Sequence, residues 1–291
     1  MQVSVVVPSY NHARWVPRCL GAIDTQDHDD LEVIVVDDGS TDGSPELIAA
    51  QRWRSTRRVR TVAAPHRGAH AAINHGLALA TGDYVAICNM DDCFVPGRIP
   101  ALVRRLANSS SRFAFTGVRF VDDRDADVTN TDAFARDHHR RQQEIDSYPS
   151  VGFAILRSNV AISSGNFFFA RSLLDEIGFF RPYRYVHDWD FLLRVVLFTE
   201  PVYVPDPLYS YRLHQGNTFR SLGSLDAEEC PELLRRFLRA AITGRYPNPL
   251  APSPRNWPDY FERFLGENDW LRQHMTNWDG LGDVVYPHVE R

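Results

Sequence analysis

The chain has 291 residues, 44% of them hydrophobic, which is enough for one large domain or for a domain with an appendage. A formal net charge of -5 disfavours a nucleic-acid binder, because such proteins usually carry a surplus of basic residues. Every basic residue apart from histidine is an arginine, so the sequence excludes a Schiff-base lysine and a lysine-dependent phosphate loop.

The first 120 residues alternate between strand and helix signals. Apolar runs typical of strands buried on both faces occupy residues 3–8 and 31–38, and two further strands are predicted over residues 59–64 and 83–88. Between them we predict a helix with its apolar face from Trp15 to Ile23, a second helix entered through Ser44 and Pro45, and a third closed by Gly82. Such alternation predicts an α/β fold with a mostly parallel sheet and right-handed crossovers.

The pattern is less regular after residue 95. Helices are predicted over residues 96–107 and 188–198, strands over 113–121 and 207–214, and a strand followed by a helix over 166–178. Residues 122–150 are charged and poor in apolar side chains, which indicates a long mobile or partly helical excursion.

The C-terminal region has a helical pattern of its own. Two amphipathic helices are predicted over residues 225–242 and 258–275, separated by the proline-rich stretch 246–258. The predicted architecture is therefore an α/β core of about 220 residues with a helical extension.

The cysteines and the N-terminus bear on the expected cellular setting. Cys19, Cys88, Cys93 and Cys230 are irregularly spaced, which fits neither a disulfide framework nor a zinc knuckle. The N-terminus runs straight into a strand without signal-peptide features, and no apolar run approaches the roughly 20 residues of a membrane helix. We therefore expect a cytoplasmic protein, or one held peripherally on the inner face of a membrane.

Two predicted strands end in paired carboxylates, Asp37 with Asp38 and Asp91 with Asp92. In open α/β sheets, ligands bind beyond the carboxyl ends of the strands, so both pairs should lie on one rim. Their mutual repulsion would be relieved by a hard divalent cation that carries a phosphorylated substrate. The alternative is that these aspartates only form turns, in which Asp is common.

Five segments occur in a characteristic order along the chain. They are VSVVVPSYNHARWV, VIVVDDGSTDGS, AAINHGLALATGDYVAICNMDD, GNFFFARSLLDEIGFF and HDWDFLLR. This series resembles the family 2 glycosyltransferases, which have the GT-A fold, and the resemblance spans about residues 1–215. It implies a catalytic domain over residues 1–222, with a nucleotide-binding half (1–120) and an acceptor-side half (121–222), followed by the extension over 223–291.

The resemblance implies transfer of a sugar from a nucleotide diphosphate to a hydroxyl acceptor, with inversion at the anomeric carbon. Pro8, Tyr10 and Asn11 are expected to line the nucleotide pocket and Asp38 to accept a hydrogen bond from the base. UDP is the first expectation for the nucleotide. Acceptors of polysaccharide, glycolipid or other glycoconjugate synthesis are the expected partners, whether glycans, lipid-linked or small molecules, and no nucleic acid.

Asp91 and Asp92 match the aspartate-rich metal motif of the family. By that match one carboxylate contacts the ribose and the other holds Mn²⁺ or Mg²⁺ at the diphosphate. Asn89 departs from the family pattern, which often has aspartate there, and it adds no charge for a cation. Cys88 and Cys93 are not expected to ligate, because soft thiolate ligands would favour zinc.

The general base of an inverting transfer is expected at Asp188, which takes the place of the family's catalytic aspartate. His187 replaces the usual glutamate before it. An alternative role for Asp188 is that of an N-cap for the following helix. Trp189 is expected at the acceptor site, where aromatic faces bind sugars, or in the core. Gly165 and Asn166, together with Asn89 and His187, complete the expected surroundings of the acceptor and donor sugar.

Further polar residues are expected near the diphosphate. His214 stands where the family often has a histidine that reaches the metal or the phosphates, although a structural role is the alternative. Arg67, Arg212 and Arg220 are candidates for the positive charge that a leaving diphosphate needs in a chain without lysine.

Two other functions compete with catalysis of sugar transfer. A nucleotidyltransferase would share the sheet and the aspartates, but the chain lacks its glycine-rich loop and lysine. A non-catalytic sugar-nucleotide-binding relative is suggested by Asn89 and His187. The aromatic-rich extension could cover the acceptor site, form a homodimer or dock on a membrane. Its aromatic residues are Phe237, Tyr260, Phe261, Phe264, Trp270 and Trp278.

Overall fold

The computed structural model describes residues 1–217 and 225–271. Within them, a single sheet has the strand order β3-β2-β1-β4-β7-β6-β8-β5. The strands are β1 (Val3–Ser9), β2 (Leu31–Asp37), β3 (Arg58–Ala63), β4 (Tyr84–Ile87), β5 (Cys93–Phe94), β6 (Phe113–Val121), β7 (Phe168–Ala170) and β8 (Val202–Arg212).

Helices cover both faces of this sheet. They are α1 (Val16–Asp24), α2 (Ser44–Ala50), α3 (Ala69–Leu79), α4 (Arg98–Ala107), α5 (Ala133–Gln143), α6 (Val151–Arg157), α7 (Leu174–Ile177), α8 (His187–Phe198), α9 (Asp226–Thr243) and α10 (Pro258–Glu267). No helix of the described ranges is both long enough and apolar enough to cross a bilayer.

The first four strands in the sheet pair in parallel, as the strand–helix alternation predicts. Val3 lies opposite Leu31 and Tyr84, and Ser9 lies opposite Asp37, so the carboxyl ends of β1, β2 and β4 meet at one edge. β7 runs antiparallel to both β4 and β6, β6 and β8 are parallel, and the short β5 is antiparallel to β8.

Alternation along β1 divides the core between the two faces of the sheet. Val3, Val5 and Val7 join a hydrophobic cluster with α1 and α4, whereas Val6 joins the cluster formed with α3, α6 and α8. Successive side chains of a strand point to opposite faces, so an unbroken apolar run is what a strand covered by helices on both faces requires.

Two local predictions need correction or completion. Gly82 does not close α3, which ends at Leu79; a Cβ atom on Gly82 would lie 2.7 Å from the backbone nitrogen of Ser4, so close packing against β1 requires this glycine. The segment 122–150 is partly helical, which is one of the two predicted alternatives, because it contains α5. Asp132 caps this helix by accepting hydrogen bonds from the amides of Phe134 and Ala135.

The C-terminal extension packs on the α/β core. Phe153 of α6 is surrounded by Trp257, Tyr260 and Phe264, with ring centroids 4.8 to 5.8 Å away. Leu234 of α9 is fully buried in the same cluster. Residues 272–291, which include the end of the second predicted helix and Trp278, lie outside the described residues.

Candidate active site

A cleft of about 1460 Å³ opens at the carboxyl ends of β1, β2 and β4 and continues along the start of α8. Most of the residues predicted for the site line it. These are Pro8, Tyr10, Asn11, Asp38, Arg67, Asn89, Asp91, Asp92, His187, Asp188, Trp189 and His214. Its position agrees with the general rule that open α/β sheets bind ligands at this edge.

Asp38 organises one end of the cleft and is almost completely buried. Its carboxylate accepts hydrogen bonds from the backbone amides of Arg67 at 2.9 Å and Gly68 at 2.8 Å. His66 Nδ1 lies 2.8 Å from the same carboxylate, and the His66 ring stacks on Tyr10 with centroids 4.0 Å apart. Asp38 therefore fixes the loop after β3 and, through His66, the position of the Tyr10 ring.

Asn11 joins the loops that follow β1 and β2. Its φ of 54° lies in the left-handed region, which Asn tolerates better than most residues. Its side-chain oxygen accepts from the Thr41 amide at 2.8 Å, and its own amide donates to Ser40 Oγ at 2.8 Å. Asp37 accepts from the Ser40 amide and does not line the cleft, so for Asp37 the turn-forming alternative is the better description.

Asp92 is enclosed by protein hydrogen-bond donors and has only 1% of its surface exposed. One carboxylate oxygen accepts from the Arg212 amide at 2.8 Å and the other from the Tyr209 hydroxyl. Burial, followed by the charge of Asp91, raises the pKa of Asp92 well above its usual value. Little room is left on this carboxylate for a further ligand.

Asp91, by contrast, faces the cleft and two histidines. Its Oδ2 lies 3.0 Å from His214 Nε2 and 3.9 Å from His12 Nε2. Burial disfavours its charged form, but His12 and then His214 outweigh that effect and lower its pKa. Trp15 packs on His214 with ring centroids 4.5 Å apart, which holds the imidazole towards Asp91.

Asn89 makes long hydrogen bonds between the carboxylates and the acceptor side. Its amide nitrogen is 3.4 Å from Asp92 Oδ2 and 3.4 Å from Ser163 Oγ, and its oxygen accepts from Ser164 Oγ at 3.4 Å. As the sequence predicts, it contributes no charge at this position, and it can donate where an aspartate could not.

Three of the residues that were predicted to contact the diphosphate or the sugars lie behind the cleft wall and do not line the cleft. Arg212 is buried, and its guanidinium donates to the carbonyls of Asp91 and Asp122 and to the Asp125 carboxylate, so it is not free for a diphosphate. The Asn166 side chain accepts a hydrogen bond from the Thr116 amide of β6 and donates to the carbonyls of Thr116 and Ala161.

Gly165 is the third residue of this group. A Cβ atom there would lie 1.9 Å from the Tyr209 hydroxyl, so this position needs glycine for Tyr209 to reach Asp92. Arg220 lies outside the described residues.

Asp188 occupies the second position of α8 and faces the other end of the cleft. Its Oδ1 accepts from the Trp189 amide at 2.7 Å. Burial raises its pKa to about 7, although hydrogen bonds from two backbone amides and from Asn159 oppose the shift. The N-cap alternative is wrong in position, because the N-cap residue is Val186. A carboxyl group with a pKa near neutrality is suited to general-base chemistry.

The neighbours of Asp188 are more buried than Asp188 itself. Burial, and then His70, lower the pKa of His187 to about 4, and its Nδ1 has no protein partner among the described residues. Trp189 donates from Nε1 to the Ile155 carbonyl at 2.8 Å, which anchors the ring between core and cleft. Its indole stacks on Trp270, which the extension contributes to the cleft wall.

Several cleft residues were not predicted from the sequence. His12 lies inside a recognised motif and His66 lies next to Arg67, so both positions offered a signal, whereas Asn159 and Tyr183 lie in segments without one. Within residues 1–217 and 225–271, cleft residues hold many of the buried polar atoms that lack a protein partner. They include Ser9 Oγ, His12 Nδ1, Trp15 Nε1, His138 Nε2, Asn159 Oδ1 and Tyr183 Oη. Buried polar atoms are costly unless paired, so these are suited to bind a polar ligand.

The residues present are compatible with a divalent cation only if a ligand completes its coordination. No cluster of three or more His, Cys, Asp or Glu side chains with metal-binding geometry is found among the described residues. The Asp91 carboxylate and the His214 imidazole nevertheless converge in the cleft, and Mg²⁺ or Mn²⁺ sites commonly combine few protein ligands with substrate phosphates and water.

Residues 4–186 match the model of the family described as "Glycosyl transferase family 2". The putative glycosyltransferase EpsH of Bacillus subtilis is 28% identical over 225 residues, which cover 73% of this chain and 61% of EpsH. The match thus spans about three fifths of the length of that relative.

Solved structures share the fold at low sequence identity. S. aureus TarS 1-349 in complex with UDP-GlcNAc superposes with a TM-score of 0.68 at 18% identity, covering 99% of this chain and 77% of that one. The mannosyltransferase PcManGT from Pyrobaculum calidifontis, in complex with GDP-Man and Mn²⁺, gives 0.65 at 21% identity, covering 94% and 73%. The mixed sheet with its flanking helices is therefore the GT-A fold that the resemblance implies, and the chain belongs to glycosyl transferase family 2.

Proposed function

We propose that this chain transfers a glycosyl group from a nucleotide-diphospho-sugar to a hydroxyl acceptor, with inversion at the anomeric carbon. One observation carries the proposal: a single cleft contains the Asp38 loop, the Asp91–His214 pair and the partly buried Asp188, whose pKa lies near 7. These are the parts that a base pocket, a diphosphate site and a general base require.

The donor nucleotide is assigned to the Asp38 end of the cleft. Pro8, Tyr10 and Asn11 shape this end, and Tyr10 would contribute an aromatic face for the base. Asp38, whose oxygens already accept from the Arg67 and Gly68 amides, would hold the loop that borders the base. UDP is the first candidate, because TarS, which has the same fold, was solved with UDP-GlcNAc. The exposed Arg67 side chain is a candidate for the diphosphate.

We assign a divalent cation, Mn²⁺ or Mg²⁺, to Asp91 and His214. The metal would neutralise charge on the leaving diphosphate. Asp92, which the sequence made an equal candidate, would instead hold the motif in place, because Tyr209 and Arg212 already occupy its oxygens. PcManGT, which shares the fold, was solved with GDP-Man and Mn²⁺, which supports the use of a divalent cation.

Asp188 is the proposed general base. It would take the proton of the acceptor hydroxyl as that oxygen bonds to the anomeric carbon and the bond to the diphosphate oxygen breaks. The products are the glycosylated acceptor and a nucleoside diphosphate. Trp189 and Trp270 would border the acceptor, since sugars pack well on aromatic faces.

A sugar-nucleotide-binding relative without turnover is the second candidate. Its basis is Asn89, which leaves the metal motif one carboxylate short of the common family pattern, together with His187 in the place of glutamate. The nucleotidyltransferase alternative has no comparable support.

A thermal-shift panel of nucleotide sugars with MnCl₂, followed by donor hydrolysis, tests these functions. Ligands that bind the native state raise its unfolding temperature. Stabilisation by one donor together with its hydrolysis supports the transferase, and stabilisation without hydrolysis supports the binding relative. A chain that no sugar nucleotide stabilises would contradict both.

A further inference from the structure

Glu229, in the first turns of α9, reaches across to the segment that leads into α8. One carboxylate oxygen accepts a hydrogen bond from the Arg184 amide at 2.9 Å. The other accepts from the amides of Tyr185 at 2.8 Å and Val186 at 3.1 Å. A single side chain of the extension thus holds three successive backbone amides that precede Asp188 by two to four residues.

The start of α8 depends on a side chain from elsewhere. Its N-cap residue, Val186, has no side-chain acceptor, and its own amide is one of the three that Glu229 binds. In a capping box a glutamate of the same helix performs this reach-back. Here α9 supplies it, and the carboxylate charge also lies favourably at the positive end of the α8 dipole.

The helix that carries Glu229 is firmly held. Cys230, Leu233 and Leu234 of α9 are buried in the same cluster as Leu192 and Val196 of α8. Packing therefore fixes the distance between the Glu229 backbone and the loop, and a charge-assisted hydrogen bond to an amide is stronger than a neutral one. The hydrogen bonds of Glu229 join α9 to the segment before α8, which lies more than 40 residues earlier in the chain.

We propose that Glu229 is a positioning residue of the active site, which sets the first turn of α8 and so the location of the Asp188 carboxylate in the cleft. The proposal rests on the proposed function for its effect on turnover, while its structural part stands on the three hydrogen bonds alone. It gives the extension a role in positioning the active site, in addition to covering the core. Small errors in the placement of a catalytic group cost about 100-fold in rate.

The test compares Glu229→Gln and Glu229→Ala with the matched control Glu228→Gln. Glu228 is the exposed neighbour on the same helix. Hydrogen–deuterium exchange should show faster exchange of the amides of residues 184–190 in both Glu229 variants and not in the control. Glutamine keeps the size of the side chain and one acceptor oxygen, so the Gln variant should fold and show the smaller change.

Turnover is measured as hydrolysis of UDP-GlcNAc with MnCl₂, or of another panel donor if the unmodified chain prefers it. We expect kcat to fall about 10- to 100-fold in the alanine variant and less in the glutamine variant. KM for the donor and Kd for UDP should stay within about twofold, because Glu229 hydrogen-bonds to residues 184–186 and to none of the residues assigned to the nucleotide.

Three results would overturn the proposal: amide exchange that stays slow in both Glu229 variants, kcat that stays within about twofold, or UDP affinity that falls by the same factor as kcat. The last would mean a general loss of structure. If the unmodified chain hydrolyses no donor, the proposed function fails, and the exchange comparison still decides whether Glu229 fixes the start of α8.

Discussion

The indole rings of Trp189 and Trp270 stack in parallel, with centroids 5.9 Å apart and 9° between their planes. Trp189 follows the proposed base directly in the chain, whereas Trp270 belongs to the C-terminal extension. Both line the cleft. The extension therefore forms part of the wall where an acceptor would bind, which favours the first of the three roles considered for it.

Replacing Trp270 with alanine is expected to weaken use of the acceptor and to leave nucleotide binding unchanged. The stacked pair offers a broad aromatic face, and loss of one such contact costs about 1 kcal/mol, or several-fold in affinity. Transfer of label from a sugar nucleotide to a glycan array measures the effect. Trp257→Ala is the matched control, because Trp257 packs on Phe153 outside the cleft. Equal losses in both variants would contradict an acceptor role.

Asp188→Asn should abolish transfer with little effect on nucleotide binding. The amide cannot take the acceptor proton, and general-base catalysis is worth about 10² to 10⁴ in rate. Turnover is compared with UDP affinity measured by calorimetry. Retained turnover in this variant would remove Asp188 from the reaction.

The rate should rise with pH as Asp188 loses its proton, with an apparent pKa near 7 in kcat/KM. The hydrogen bond from Asn159 lowers the pKa of Asp188, so Asn159→Ala should move the rising limb to higher pH. The profile is measured for donor hydrolysis at several fixed pH values. A limb that is unmoved in the Asn159 variant, or that lies near pH 4, would contradict this assignment.

The same pKa shift predicts a pH-dependent stability difference. The folded state binds the Asp188 proton more tightly than the unfolded chain, whose pKa is near 3.8. Stability contributed by this proton is therefore present below about pH 4 and is lost as the pH rises through about 7. Asp188→Asn should unfold at a higher temperature than the unmodified chain at about pH 8, and show no such gain at about pH 4. Identical differences at both pH values would argue against a raised pKa.

Asn89→Asp should make the chain more dependent on a divalent cation. The new carboxylate would lie about 3.4 Å from Asp92 Oδ2, where burial and a nearby like charge both disfavour a second ionised carboxylate. Urea unfolding should show a loss of stability without metal and recovery with MnCl₂ and UDP together. Asn130→Asp, on the exposed turn before α5, is the control. Unchanged stability without metal would mean that asparagine and aspartate at position 89 are equivalent for the stability of the chain.

Strand and helix periodicity identified the elements well where burial was continuous. The runs that became β1, β2 and β4 are apolar because helices cover both faces, and this pattern requires no knowledge of distant residues. The exception at Gly82 arose from a contact with Ser4, which lies 78 residues away and leaves no local sign.

The amino-acid sequence by itself determined the family, the parallel strands and the placement of Asp38 and Asp91 at one edge of the sheet, because local periodicity and short motifs encode these features. Only the tertiary structure decided which groups are free to bind. It enclosed Asp92, turned Arg212 inward, and brought Glu229 and Trp270 of the extension to the start of α8. Hydrogen bonding and burial between segments far apart in the chain govern these outcomes, and neither can be read from neighbouring residues.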